Sequence, residues 1–403
     1  MVYLDYNATA PLHPAARAAW LRVVDGAWHN PSSLFAAGTA ARDILEDARE
    51  RLADRLGCDP ERVVFTSGAT AANNALARHL ARTGPPGARV LISAIEHPSV
   101  VEPFHAELAG RVTETPVDRH GVVRLEALET ALGGGAGNGV LVSVMAASNE
   151  SGTLQPWPEL AALCRRHGAA FHTDASQWLG KLPAAGLGGC DWVTGSGHKF
   201  GGPKGVGFLV VPAGLQTLRT DRGGPQERGR RAGTEDVAAV AALVAALEAR
   251  DAEPEPLRAA RAADRDAAAV RLQARLPEAV VIGAGAPRLW NTLAVLVPGG
   301  DGRRLVARLA AAGICGSTGS ACSGGAGSTA RILAAIGPEA LGATAGDLRG
   351  LVRLSAGWET TAADWTAAVD ALAEAVGAGE RSLPRVSLAA PAAAAPPAPG
   401  PRP

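Results

Sequence analysis

Six short apolar runs recur through the first half of the chain: RVVFTS (62–67), RVLISA (89–94), GVLVSVM (139–145), AAFHTD (169–174), DWVTGS (191–196) and GVGFLVV (205–211). Helical stretches separate most of them. This alternation predicts an α/β architecture with a mostly parallel sheet. Several runs stop at polar clusters: TSGAT, AIEHPS, AASNESG, HTDASQ and GSGHK. Ligands of open α/β sheets bind beyond the carboxyl ends of the strands, so these ends predict one composite pocket.

A charged helical region, 235–275, follows and breaks at EPEP (253–256), where a domain boundary is expected. Beyond it NTLAVLVP (291–298), ICGSTGSA (314–321) and LVRLSAG (351–357) read as strands among helices, which suits a smaller α+β domain. A length of 403 residues is in keeping with two domains. The Ala/Pro-rich end, SLAAPAAAAPPAPGPRP (387–403), cannot build a core and is expected to be a disordered tail.

Acidic and basic residues balance at 39 each, and no basic stripe carries interleaved aromatics, so no nucleic-acid partner is expected. No run reaches membrane-spanning length, and MVYLDYNATAPLHP lacks the basic-then-apolar pattern of a signal peptide. Five scattered cysteines without a C-x-x-C pair predict neither disulfides nor a metal site, and point to a reducing compartment. Phosphate-loop, dinucleotide, zincin and nucleophile-elbow motifs are all missing, which removes most support for those enzyme classes.

Lysine is the scarce cation: the chain has three, Lys181, Lys199 and Lys204. A desolvated amine can lose its proton and act as nucleophile or base, which a guanidinium cannot. Lys199, in SGHKFGGPKG (196–205), follows a strand and is flanked by Ser196 and His198; it reads as a catalytic amine or as a loop surface charge. Lys181 and Lys204 lack that flank and read as surface charges. Asp174 ends a strand in FHTDASQ (171–177), either as a helix N-cap or as the partner of a protonated ring nitrogen. TSGATAANNAL (66–76) is a glycine turn opening a helix, whose free N–H groups suit phosphate, although such turns are common. His97 stands at another strand end, as a loop hydrogen-bonding residue or a catalytic one.

Cys322 lies in GSTGSACSGGAGSTARIL (316–333), with no large apolar side chain for several residues either way. Structural cysteines sit among hydrophobes, so this composition suits a nucleophile on a swinging loop. Cys315, beside Ile314, reads as core. Arg353 stands inside an apolar strand and needs an anion, either a structural acid or a substrate carboxylate.

Taken together, these residues resemble the cysteine desulfurases of the NifS/IscS type, among the class V aminotransferases and the fold-type I pyridoxal-phosphate (PLP) enzymes. The likeness runs in order through YLDYNATAP (3–11), NPSS (30–33), FTSGAT (65–70), EHPSV, SNESGTLQP (148–156), HTDASQWLGKLP (172–183), SGHKFGGPKGVG, QERGRRAGTED (226–236), STGSACS (317–323) and VRLS (352–355), over about residues 3–380. It implies a large PLP-binding domain at 16–255 with a mostly parallel sheet of the seven-stranded type. It also implies a small α+β domain at 256–383 carrying the cysteine loop, with segment 1–15 packed on it and a tail at 384–403.

The resemblance also implies roles. Lys199 would hold PLP as a Schiff base and then shuttle protons, while Asp174 would pair with the ring nitrogen. Gln177 and Asn149 would touch the ring hydroxyl, and His97 would stack on the ring. Ala69, Thr70, Ser196 and His198 would take the phosphate, and Thr234 would reach the phosphate of a partner subunit in a homodimer. Asn30 and Arg353 would hold the carboxylate of L-cysteine. Cys322 would take its sulfur as a persulfide and leave L-alanine, passing the sulfur to an acceptor protein for iron–sulfur, thio-cofactor or tRNA biosynthesis. The expected setting is the cytoplasm.

The chain departs from the family pattern at Ala71, where glutamate is usual, at Ser148, at Pro225 and at Trp358. Pro225 and Trp358 are expected to bear on substrate access or partner docking. Two other readings compete: another reaction on the same scaffold, such as selenocysteine lyase, and an idle sulfur-assembly scaffold. The full set of Lys199, His97, Asp174 and Cys322 argues against the idle scaffold.

Overall fold

The computed structural model describes residues 1–133, 139–319 and 330–377. The chain opens with β1 (Val2–Tyr3), α1 (Pro14–Gly26) and α2 (Ala36–Leu56). His13 caps α1 by accepting from the Ala15 N–H, with Pro14 in the first turn, and Gly57 ends α2 at φ 75°. There follow β2 (Val63–Thr66), α3 (Ala69–Thr83), β3 (Arg89–Ser93), α4 (Pro98–Glu107), β4 (Val112–Thr115) and α5 (Leu125–Gly133). Next come β5 (Val140–Ser143), α6 (Trp157–Arg166), β6 (Ala170–Asp174), β7 (Trp192–Ser196) and β8 (Gly207–Val210).

These strands form one seven-stranded sheet in the order β2-β8-β7-β6-β5-β3-β4 among the described residues. β8 is antiparallel to both neighbours, and the other pairs are parallel. Both faces are covered. Val63, Phe65, Phe171 and Val193 join one apolar layer with Leu45, Leu52 and Leu243. Val64, Ile92, Leu141 and Leu209 join another with Leu76 and Phe104. All six anticipated strands are present. β4 was not anticipated because VTET carries no apolar run; it is an edge strand with two exposed residues, as sheet edges tolerate.

The charged region divides into α7 (Val237–Asp251) and α8 (Glu255–Arg275) at the expected Pro/Glu break. β9 (Val280–Val281), β10 (Thr292–Leu296), α9 (Gly302–Ala311), β11 (Ile314–Cys315), α10 (Arg331–Ile336), β12 (Leu351–Ser355) and α11 (Ala362–Gly377) complete the chain. β12, β10 and β9 form an antiparallel sheet whose apolar layer, with Leu272, Leu293, Val352, Trp365 and Leu372, also takes in Leu4. β1 pairs in parallel with β11, Val2 opposite Ile314. Cys315 is half-buried on this short ladder rather than in the core, because its strand has one neighbour among the described residues. No helix among the described residues is long and apolar enough to cross a membrane.

Two departures from the family pattern acquire physical explanations. The Ser148 hydroxyl accepts from the N–H groups of Glu150 and Ser151, so it braces the turn after β5. Trp358 is not at a site mouth: it is buried under the Arg250 guanidinium, 3.6 Å from its ring centroid, with Tyr6 and Trp290 against its edges. It ties α7 to the segment after β12, which corrects the expectation of a role in substrate access.

A buried ion pair anchors the segment QERGRRAGTED. Glu227 accepts from Arg49 through both carboxylate oxygens at 2.8 Å and also from the Phe65 N–H, and both side chains are almost fully enclosed. Glu227 and Arg228 adopt positive φ (49° and 57°), a strained backbone held in place by that contact. Removing one member leaves a buried charge uncompensated, so Glu227→Leu should lower unfolding stability by about 3–5 kcal/mol in urea titrations, with the strands of the large sheet retained.

Candidate active site

The carboxyl ends of β2, β3, β5, β6 and β7 open on one cavity of about 810 Å3. Its wall includes Asn7, Gly68, Ala69, Thr70, His97, Asn149, Asp174, Gln177, Ser196, His198, Lys199 and Arg353. The five polar clusters of the sequence therefore converge as expected. The cause is topological: strands running in parallel bring all their carboxyl ends to one edge.

Gly68, at φ 142°, turns the chain from β2 into α3, and α3 has no side-chain cap. The first N–H groups of the helix are left for a ligand, with the positive end of the helix dipole behind them. Close packing demands glycine here: a Cβ on Gly207, in the adjacent β8, would lie 2.7 Å from the Gly68 Cα. The Ser196 hydroxyl stands beside this turn, 3.7 Å from where a Gly68 Cβ would lie, and His198 also lines the cavity. Burial, then the Lys199, Lys204 and Lys181 charges, pull the His198 imidazole down to about 4, so the ring is neutral at neutral pH. Its Nδ1 lies 3.1 Å from the Thr9 hydroxyl.

Lys199 Nζ donates to the carbonyl oxygens of Asn7 (2.8 Å) and Ala8 (3.0 Å). Asp174 is buried; it accepts from the Ser176 N–H (2.9 Å) and from Asn73 Nδ2 (3.3 Å). His97 caps α4 through Nδ1, which accepts from the Ser99 N–H at 3.1 Å, so its Nε2 is left for the cavity. Burial pulls the His97 imidazole below its ordinary value, against the raising effect of Asp174. The two readings of a strand-end residue thus coexist: His97 is a helix cap and also a wall of the cavity.

Arg353, on β12, reaches the cavity and is 3 % exposed. One terminal nitrogen donates to Asp5 Oδ1 at 2.6 Å and the other to the Asn149 carbonyl at 2.8 Å. A structural acid therefore already pairs with this arginine, and its Nε lacks a partner. Asn30 and Thr234 are exposed and stand outside the cavity wall of this chain. Cys322 lies outside the described residues.

Lys181 contradicts its surface reading. It is completely buried, and its Nζ donates to Gln177 Oε1 (2.8 Å) and to the Gln177 carbonyl (3.2 Å). The turn 175–183 folds inward there: Gly180 has φ 71°, and a Cβ on it would meet Phe200 at 2.3 Å. Lys204 is exposed, as read, although it lies at the cavity rim. Ala71 also lines the cavity.

Sequence reasoning missed Asn7, Asn73, Ser99 and Glu96. Asn73 Nδ2 bridges Asp174 and the Ser99 hydroxyl, and the signal for it was a polar residue on the inner face of α3. Glu96 is fully buried in the cavity wall, where Oε1 accepts from Ser93 and the Met145 N–H while Oε2 has no partner. Burial pushes its carboxyl from 4.5 up to about 8. Between those values the unfolded chain releases a proton that the folded chain keeps, so stability falls as pH rises. Glu96→Gln should remove this loss: relative to the unsubstituted protein, the variant should gain unfolding stability between about pH 5 and about pH 8 in urea titrations.

Comparisons with known proteins agree with this geometry. Residues 2–367 match the aminotransferase class-V family. The chain is 36 % identical over 391 residues to the IscS-like cysteine desulfurase of Mycobacterium tuberculosis, covering 95 % of this chain and 98 % of that one. It superposes on a NifS-like protein from Rickettsia africae with a TM-score of 0.82 at 28 % identity, over 94 % of this chain and 99 % of that one. It superposes on SspA in complex with cysteine with a TM-score of 0.73 at 26 % identity, over 88 % and 98 %. With a buried carboxylate, a lysine amine and an uncapped helix start on one cavity, and relatives of this kind along nearly its whole length, the chain belongs to the cysteine desulfurases of the class-V aminotransferase family.

Proposed function

We propose that this cysteine desulfurase works with pyridoxal phosphate in the cavity and converts L-cysteine to L-alanine, with the sulfur carried on Cys322. The observation that carries the reading is the convergence of Lys199, Asp174 and the open start of α3 on one cavity. The residues fit the cofactor. Asp174 offers a carboxylate to a ring nitrogen, Gln177 and Asn149 face a ring hydroxyl, and His97 supplies a flat ring. Ala69, Thr70, Ser196 and His198 offer N–H and hydroxyl groups to a phosphate. The Ser176 hydroxyl, buried and without a partner on the same wall, is one more polar group available there.

When bound, pyridoxal phosphate supplies an electron sink for the carbon skeleton of the substrate. Arg353 orients the substrate carboxylate, its charge only partly spent on Asp5. Lys199 Nζ takes the proton from the substrate α-carbon and returns one later. The Cys322 thiolate attacks the substrate sulfur: a bond forms between the two sulfurs and the substrate carbon–sulfur bond breaks. Its electron pair stays with the carbon, which takes up a proton and leaves as alanine. A sulfur-acceptor protein then receives the terminal sulfur.

We further propose a homodimer. Trp20, Leu21 and Val24 on α1, with Trp28, Leu34 and Phe35 on the segment leading to α2, leave apolar surface exposed, more than an isolated chain needs. Asn30 lies in the same region and Thr234 is also exposed, so a second copy is the route by which both would reach a cavity. Residues 16–255 would form the cofactor-binding domain and 256–383 the smaller one, with 1–15 joined to it. The separate apolar layer around β10 and β12 and the β1–β11 ladder support that division. The setting would be cytoplasmic, in keeping with the free thiols of Cys58, Cys164, Cys190 and Cys315.

Two substitutions test the mechanism. Lys199→Ala should abolish the visible absorption that pyridoxal phosphate gives with the protein and lower alanine formation by about 10²–10⁴-fold; a retained band would refute the amine assignment. Cys322→Ser should keep that band but lose sulfide release from L-cysteine in the presence of a thiol reductant. Undiminished release would rule out the persulfide route, and running selenocysteine alongside separates the lyase alternative.

A further inference from the structure

Lys181 is a fully buried lysine with no carboxylate against it among the described residues: the hydrogen bonds of its amine go to two oxygens of Gln177. A charged amine is costly in such a place, and burial pushes this one well below its ordinary value, helped by the nearby Lys199 and Arg353 charges. The amine donates to both acceptors within its reach, the side-chain and main-chain oxygens of Gln177. The backbone around it is fixed as well, since the Lys181 carbonyl accepts from the Trp290 indole at 2.9 Å.

The partner's geometry shows what this amine does. Gln177 Nε2 donates to the Asn7 carbonyl at 2.9 Å, the oxygen that also accepts from Lys199 at 2.8 Å. A carbonyl oxygen can only accept, so the amide nitrogen must lie on the Asn7 side and the amide oxygen on the Lys181 side. Two hydrogen bonds from opposite ends thus forbid the amide to turn over. Its second N–H remains for the cavity, whose wall Gln177 forms.

We propose that Lys181 is a positioning residue: by occupying Gln177 Oε1 it compels Gln177 to present an N–H donor, never an acceptor, to the ring oxygen of bound pyridoxal phosphate. This rests on the cofactor reading above. Presented with a donor, the ring oxygen is stabilised as an anion and holds its proton less tightly. Without Lys181 the amide oxygen loses its buried partner and only the Asn7 carbonyl still holds the amide, so the orientation that turns its oxygen toward the ring, where it repels the anion, becomes accessible.

The test follows the visible absorption of the holoprotein against pH, together with its pyridoxal phosphate affinity, in the unsubstituted protein, K181M, K181Q, Q177L and the K181M/Q177L double variant. Methionine keeps the chain as far as Cε but has no donor, whereas glutamine keeps one. K181M and Q177L should each raise the pH midpoint of the band and weaken cofactor binding about five- to tenfold. The double variant should match Q177L alone, and K181Q should stay near the unsubstituted protein. An unshifted K181M, a K181M shift that repeats in full on the Q177L background, or a K181Q protein altered like Q177L would each overturn the proposal. If K181M does not fold, K181Q decides. A failure of the unsubstituted protein to develop any visible band with pyridoxal phosphate would instead remove the cofactor reading itself.

Discussion

The main-chain carbonyl of Asn7 accepts from Lys199 and from Gln177 at once, and most of the cavity is arranged around that oxygen. The Asn7 side chain extends the junction. Its Nδ2 donates to the Asn149 carbonyl and to Thr292, and its Oδ1 accepts from Asn291. One residue outside either main sheet thus joins the ends of β5, β6 and β7 to the start of β10. The neighbouring residues reinforce it, with Asp5 on Arg353 and β1 beside β11. Buried polar groups of this density are tolerated only because nearly all have partners, and the partners in turn fix their directions.

The charge balance of the cavity follows from the same enclosure. Lys199, Lys204 and Arg353 line the cavity, and His198 is kept neutral by burial and by the nearby lysine charges. Asp174 and Asp5 answer only part of this. Glu96 is driven toward its neutral form, and Glu150 spends both oxygens on the N–H groups of Arg331 and Ile332 at the start of α10. Such a space favours an anionic guest, which a phosphate and a carboxylate both supply.

Much of this was legible in the sequence. Period and composition marked the strands of the large sheet, and parallel pairing follows from the helices between them, so the convergence of His97, Asp174 and Lys199 could be expected. Less legible were contacts made between segments far apart in the chain. Nothing near Lys181 in the sequence distinguishes it from a surface lysine; Gly180 turning against Phe200 buries it. Arg353 needed an anion on any reading, but that Asp5 supplies one depends on the N-terminal segment crossing to β12. Trp358 looked like a change at a mouth and proved to be a ring stacked under Arg250. Asn30, expected at the substrate carboxylate, lies outside the cavity of its own chain.

By itself, the sequence determined the layer architecture, the edge at which a ligand would sit and the chemical types brought there, because these depend on local period and on the direction of parallel strands. The tertiary structure alone decided which lysine is a buried amine and which is at the rim, which way the Gln177 amide faces and what already holds Arg353. Those are matters of desolvation and of hydrogen-bond direction, and both are set by neighbours that arrive from distant parts of the chain.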